Sequence, residues 1–289
     1  YLVDRFNETP YIHLLGPRGT GKTRYLMTVG GLCHKATTIA GALTESVLFH
    51  LIDLFRGTVV IDEGDFSNRS ELWNAITKIL NCGYTKGTPV VRMREAEKGF
   101  KPVPYEVYGT KVIATRHPFK DLALQDRCLK ILSKPELERD DIPLNLTDEF
   151  FKERMDLLNK LLYWRFVHYR NVSLDTALQS SLNKLTINPR LKQIVIPMIS
   201  IIEDIKMRER LINFLKVQEK EMIEENRETI EYQIFMAILS LISCGNTRPT
   251  IQEITNKVNE NIQNPKHHIT PQLCGRRIKH ELSLRTETV

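Results

Sequence analysis

Residues 11–29 constrain the fold of this chain more than any other stretch. Tyr11-Ile12-His13-Leu14-Leu15 is a short apolar run that suits a strand, and Gly16-Pro17-Arg18-Gly19-Thr20-Gly21-Lys22-Thr23 completes a G-x-x-x-x-G-K-S/T phosphate-binding loop. Thr23 to Val29 then reads as a helix whose N-terminus faces the anion. Glycines at 16, 19 and 21 let the backbone curl so that successive N–H groups point inward at phosphate oxygens. Lys22 can reach the β and γ phosphates of a nucleoside triphosphate, and the Thr23 hydroxyl can hold Mg²⁺. Thr20 and Arg24 complete the candidate binding set around the loop.

A second element points the same way. Thr58-Val59-Val60-Ile61-Asp62-Glu63 is a continuous apolar run ending in two carboxylates, as expected of a strand covered on both faces. Open α/β sheets bind ligands at the carboxyl ends of their strands, where these acids would sit. Asp62 is placed to hold Mg²⁺ directly or through water. Glu63, one residue on, is placed to polarise an attacking water, which favours hydrolysis over binding alone. The plain alternative is an ordinary acidic strand end.

A chain of 289 residues fits two or three domains. No apolar stretch approaches the ~18 residues that a membrane span needs, and no signal peptide is visible. The chain begins at Tyr1 without a methionine, as a fragment of a longer protein would. Its five cysteines are scattered without a C-x-x-C pair, which favours reduced thiols and a cytoplasmic location and argues against structural zinc. A formal net charge of +6 leans weakly toward a polyanionic partner.

Up to about residue 135, short apolar strands (11–15, 37–40, 58–62, 111–115 and 128–132) alternate with helical stretches, the pattern of a parallel sheet with crossover helices. Between Gly83 and Gly109 two strand-like arms flank a basic, Gly-containing tip, which predicts a β-hairpin. From Thr147 onward the strand signal disappears. Phe150 to Tyr169 reads as an amphipathic helix, and another opens at Asn188-Pro189-Arg190, where Asn188 suits the N-cap and Pro189 the first turn. Pro197 is expected to kink or break that second helix. A long charged helix follows over about 203–224. Helices at 229–243, 250–261 and 270–282, each opened by a Thr, resemble a helix-turn-helix of winged type, and the third carries Arg276, Arg277 and Lys279.

Taken together, these motifs resemble AAA+ ATPases over most of the chain. The resemblance implies an α/β fold: a P-loop AAA+ parallel sheet domain (1–140), an all-α lid (141–225) and a C-terminal winged-helix-like domain (226–289). Lys111 to Arg116 resembles the sensor-1 strand, with Thr115 or Arg116 as the polar residue beside the γ-phosphate. Leu124 to Leu129 resembles the segment carrying the arginine finger, which makes Arg127 the cation offered to a neighbouring subunit's ATP. A structural Arg capping a helix C-terminus is the alternative. Arg190 resembles the lid arginine known as sensor 2. The segment from Leu80 to Thr115 resembles the pre-sensor-1 hairpin of hexameric helicases of the minichromosome-maintenance type, whose tip touches the nucleic-acid backbone. Lys98 and Lys101 occupy that tip here, although Glu95 and Glu97 dilute its charge, and an exposed hairpin of mixed charge is the other reading.

The resemblance therefore implies a DNA-dependent, ring-forming ATPase using ATP and Mg²⁺. The expected assembly is a homo-oligomer, a hexamer, with single-stranded DNA in its pore, duplex DNA on the C-terminal domain, and no membrane partner. Within it, Lys22, Glu63 and Arg127 would be catalytic, and Gly16, Gly19, Thr20, Gly21, Thr23, Arg24, Thr115 and Arg190 would surround the nucleotide. Helicase-like ATPases of phages, plasmids and other mobile elements are the most similar group, and they imply a replicative DNA helicase. The alternative is a non-motor AAA+ initiator, helicase loader or transposition regulator. A protein-remodelling ATPase fits less well, for want of an aromatic pore loop after the second strand.

Overall fold

The computed structural model describes residues 1–40, 43–62, 70–96, 99–134, 143, 145–227, 229–262, 268–282 and 284. By contact, the chain forms two compact units, Tyr1–Leu215 and Lys216–Val289.

The first unit is built on a five-stranded parallel sheet. Its strands are β1 (Tyr11–Leu15), β2 (Thr37–Ala40), β3 (Val59–Asp62), β6 (Lys111–Thr115) and β7 (Cys128–Leu132), in the order β2-β3-β6-β1-β7. All five fall where the apolar runs predict them. Strand side chains alternate between faces, so each strand feeds two layers. Leu14, Val60, Val112 and Ala114 bury against Leu26 of α1 (Lys22–Thr28) on one side. Tyr11, Val59, Ile61 and Ile113 join a larger core on the other with α2 (Glu45–Phe55) and α3 (Ser70–Cys82).

Between α3 and β6 runs the antiparallel hairpin of β4 (Val90–Ala96) and β5 (Gly99–Tyr105), paired from Val90↔Tyr105 to Ala96↔Gly99. Its root is fastened to α2. The Tyr105 ring lies 4.6 Å from Phe49 and 4.8 Å from His50, and Arg92 pairs with Glu45 and stacks over Phe49 at 5.7 Å.

A short α4 (Leu122–Gln125), capped by Asp121, leads into β7. Helices α5 (Asp148–His168), α6 (Thr176–Asn183), α7 (Pro189–Ile201) and α8 (Ile205–Arg227) follow. The Asn188 side chain caps α7 at 2.8 Å, with Pro189 in the first turn. Pro197, expected to kink or break α7, does not end it, and the helix continues to Ile201. The proline costs a main-chain hydrogen bond, but Leu191, Ile194, Val195, Ile196 and Ile199 bury alongside it and hold the helix together. α6 carries no periodicity strong enough to read in advance. It is defined by its Asp175 cap and by Leu182 packing into the core.

The boundary between the units falls within α8. The second unit packs α9 (Ile230–Ser243), α10 (Ile251–Glu260) and α11 (Pro271–His280) around Ile234, Ala237, Ile254, Val258, Cys274 and Ile278. Thr229, Thr250 and Thr270 cap these helices as the sequence suggests, and Thr250 forms a full capping box with Glu253. No strand occurs among the described residues of this unit. None of the described helices is long and apolar enough to cross a membrane.

Candidate functional site

The strand order brings three carboxyl ends side by side, because β6 lies between β3 and β1. A cleft of about 520 Å³ opens there, lined by Arg18, Gly19, Thr20, Gly21, Lys22 and Thr23 after β1, Asp62 at the end of β3, and Ala114, Thr115 and Arg116 at the end of β6. Residues more than 90 positions apart thus share one small space.

The loop is preorganised. Gly19 and Gly21 adopt φ of 78° and 80°, left-handed angles that non-glycine residues resist and that a curled, nest-forming loop requires. Gly16 is wedged for a different reason. A Cβ there would lie 2.4 Å from the Ser133 carbonyl oxygen. Ser133, just past β7, donates its N–H to the Leu15 carbonyl at 2.7 Å and its hydroxyl to the Thr20 carbonyl at 2.5 Å. No motif announces Ser133, yet it braces both ends of the loop. The Lys22 ammonium donates to the Gly16 and Pro17 carbonyls at 2.6 and 2.5 Å, committing two of its three hydrogens to the loop itself. Thr23 and Asp62 both face the cleft, a hydroxyl and a carboxylate of the kind that hold Mg²⁺ beside substrate phosphates. Arg24 lies one residue beyond the lining set, on α1.

Thr115 is placed in the cleft but its hydroxyl is engaged. It donates to the His117 carbonyl at 2.7 Å, so its contact with His13 Nε2, also 2.7 Å, must be donated by the imidazole. His13 stacks on Phe119 at a 4.0 Å centroid distance and is almost wholly buried. Burial, and secondarily Lys130, lower its pKa from 6.5 to about 4. The unfolded chain therefore binds a proton between pH 6.5 and about 4 that the folded one refuses, and stability from this group is lost as pH falls through that window. His13→Gln should reduce the drop in melting temperature between pH 7 and pH 4.5; an undiminished drop would remove His13 as its source.

Neither Arg127, expected to reach a neighbouring subunit's ATP, nor Arg190, expected beside the chain's own, lines this cleft. Arg127 precedes β7, and its carbonyl accepts from Tyr11 N–H at 3.0 Å, which puts it at the amino end of the sheet. A strand of this length holds that end about 15 Å from the loop. The Arg127 guanidinium lies 4.5 Å from the Tyr84 ring centroid, donates to the Ala123 carbonyl, and leaves Nε without a partner. Arg190 comes to the same ring, at 5.1 Å, and donates to the Tyr84 hydroxyl. A sensor-2 position beside the chain's own phosphates is therefore not what the structure forms. Packing of α7 into the core with Tyr84 carries Arg190 to the amino end of the sheet. Tyr84, which no motif marks, is the residue that joins the two.

Glu63 and Lys98 lie outside the described residues. Lys101 is exposed near the hairpin tip. On α11, Arg276 and Lys279 are exposed, whereas Arg277 is half-buried and bridges to Glu231 of α9 at 2.9 Å and to Glu281 at 3.4 Å. Its first role is holding α11 on α9. Among the described residues no cluster of three or more His, Cys, Asp or Glu could by itself bind a metal. The described cysteines are all free thiols. Neither a protein-family model nor a curated protein matches this chain.

Proposed function

We propose that this chain is a DNA-dependent AAA+ ATPase that assembles into a ring and acts as a replicative helicase of a mobile element. One observation carries the proposal. The phosphate loop, Thr23 and Asp62 converge on one cleft, while Arg127 and Arg190 stand together on Tyr84, outside its lining and at the amino end of the sheet. A pair of guanidiniums so placed suits a phosphate carried by another molecule better than one in the chain's own cleft. A ring of copies supplies one, with each subunit offering its arginines to the next subunit's nucleotide.

In this arrangement the nest at Gly19–Gly21 and Lys22 hold the β and γ phosphates of ATP. Thr23 and Asp62 are the residues that would hold Mg²⁺, which neutralises charge on those phosphates when bound. Lys22 would exchange its contacts with Gly16 and Pro17 for phosphate oxygens. Arg116, in the cleft, is better placed than the engaged Thr115 hydroxyl to sense the γ-phosphate. Glu63 would orient the attacking water. Helices α5 to α8 would serve as the lid. The α10–α11 pair would present Arg276 and Lys279 to duplex DNA, as in a winged helix.

The test is ATP turnover with and without single-stranded DNA, together with unwinding of a forked duplex. Stimulated turnover with unwinding supports the motor. ATP-dependent assembly on DNA without unwinding would replace it with an initiator or loader, and absence of ATP hydrolysis under all conditions would remove the enzyme altogether.

A further inference from the structure

One helix of the first unit leaves most of its apolar surface in water. None of the side chains of α5 is buried. One side of it is tied to its own unit, where Arg165 donates to the Asp4 carboxylate at 2.6 and 2.7 Å and Arg154 reaches Gly31. On the other side Phe151, Met155, Leu162 and Phe166 follow one another at helical spacing, and Tyr163 and Val167 widen the stripe. All six are exposed, Tyr163 and Phe166 by 70% each. Side chains of this size leave about 600 Å² of apolar surface open. That matches the largest patch of an ordinary monomer and is most of what one partner gives a standard interface.

The charges on α5 indicate what covers the stripe. Its amino half carries Asp148, Glu149, Glu153 and Asp156 against Lys152 and Arg154. Its carboxyl half carries Lys160, Arg165 and His168, and no acid. That order suits the helix's own dipole, but the dipole gives no reason for an apolar stripe left in water. A phosphate-bearing partner, whether nucleic acid or anionic membrane, would meet the four carboxylates along half the stripe. A second α5 laid antiparallel sets acidic half against basic half and apolar stripe against apolar stripe. The apolar positions are symmetric about the middle of the helix, so one register satisfies both ends. It sets Phe151 opposite the partner's Phe166, Met155 opposite the partner's Leu162, and Asp156 beside the partner's Lys160.

We propose that α5 is a self-pairing surface through which two copies of this chain associate about a two-fold axis. Such a contact is isologous: the same patch serves both copies, and association through it closes at two. It is distinct from the head-to-tail contacts of a ring, goes beyond the ATPase reading, and needs neither nucleotide nor DNA.

The experiment is sedimentation equilibrium of the full chain without nucleotide, where the parent is expected to form dimers in the micromolar range. Phe166→Glu should raise the dissociation constant by about thirtyfold or more. Its melting temperature should stay unchanged, because Phe166 is exposed. Charge reversal tests the antiparallel register. Asp156→Lys and Lys160→Asp should each weaken self-association by about tenfold, since each sets like charges together twice across the axis. An equal mixture of these two variants should recover the parental affinity, because both pairs across the axis become opposite in sign. A parent that stays monomeric throughout the micromolar range would overturn the proposal. So would a dimer indifferent to Phe166→Glu, or charge variants that do not recover on mixing. Association seen only with an ATP analogue would belong to ring contacts and would equally overturn the α5 pair. ATP turnover is read on the same samples: its absence removes the enzymatic reading and leaves the α5 pair standing.

Discussion

Replacing Arg127 by alanine is expected to lower DNA-stimulated ATP turnover by about a thousandfold while leaving nucleotide affinity nearly unchanged. The asymmetry follows from position. Arg127 lies at the amino end of β7 and the phosphate loop at the carboxyl end of β1, so losing the guanidinium removes nothing from the chain's own cleft. In the proposed ring its catalytic contribution is made to a neighbour. Mixing Arg127→Ala subunits with Lys22→Ala subunits should then restore part of the activity, because some interfaces regain both an intact loop and an intact arginine. Arg127→Lys should not rescue, since a point ammonium cannot reproduce a planar fork or its seat on Tyr84. Because Arg127 also holds the Ala123 carbonyl, melting temperature must be read in parallel. Turnover within tenfold of the parent, or no recovery on mixing, would return Arg127 to a structural cap.

The second large effect concerns stability. Lys111 opens β6 fully buried, yet it is a lysine: its ammonium donates to the Val107 carbonyl at 2.6 Å and the Gly83 carbonyl at 3.1 Å, and lies 5.0 Å from the Tyr11 ring centroid. Lys111→Ala should destabilise by about 3–5 kcal/mol, combining a cavity with two orphaned carbonyls. Burial lowers the Lys111 pKa from 10.5 to about 7, against smaller opposing effects of Glu106 and Cys82. Between those values the unfolded chain holds a proton that the folded chain has released. Stability from this group therefore rises as pH climbs from about 7 to about 10.5, and below 7 the folded state bears the full cost of the buried charge. Lys111→Met keeps most of the volume and should abolish that rise. Urea titrations at pH 7 and pH 9.5 decide it: parallel shifts in parent and Lys111→Met would show that the lysine does not change charge on folding. Gly83 belongs to the same unit. A Cβ there would meet the Lys111 ammonium and the Val107 oxygen, each at 2.4 Å, so no side chain fits while the lysine stays.

Lys111 also marks where reading the chain reaches its limit. At 111 the sequence offers a lysine at the head of an apolar run, which pattern alone would leave at a solvated strand end. Only the pairing of β6 with β1 and β3, and the approach of Gly83, enclose it. Thr115 behaves similarly: the strand and its end were legible, but the two hydrogen bonds that occupy its hydroxyl come from His13, on another strand, and from the bend at His117.

By itself the sequence determined what depends on near neighbours. The phosphate loop, the five sheet strands, the hairpin and the caps at Thr229, Thr250, Thr270 and Asn188 are each written within a few residues, because turn angles, alternation and capping hydrogen bonds act at that range. The tertiary structure alone decided which distant groups share a space. It gave Ser133 the task of bracing the phosphate loop, and set Arg127 and Arg190 on Tyr84 at the amino end of the sheet. Strand order, register and burial depend on the whole core at once, and a side chain's neighbours are known only after that core has formed.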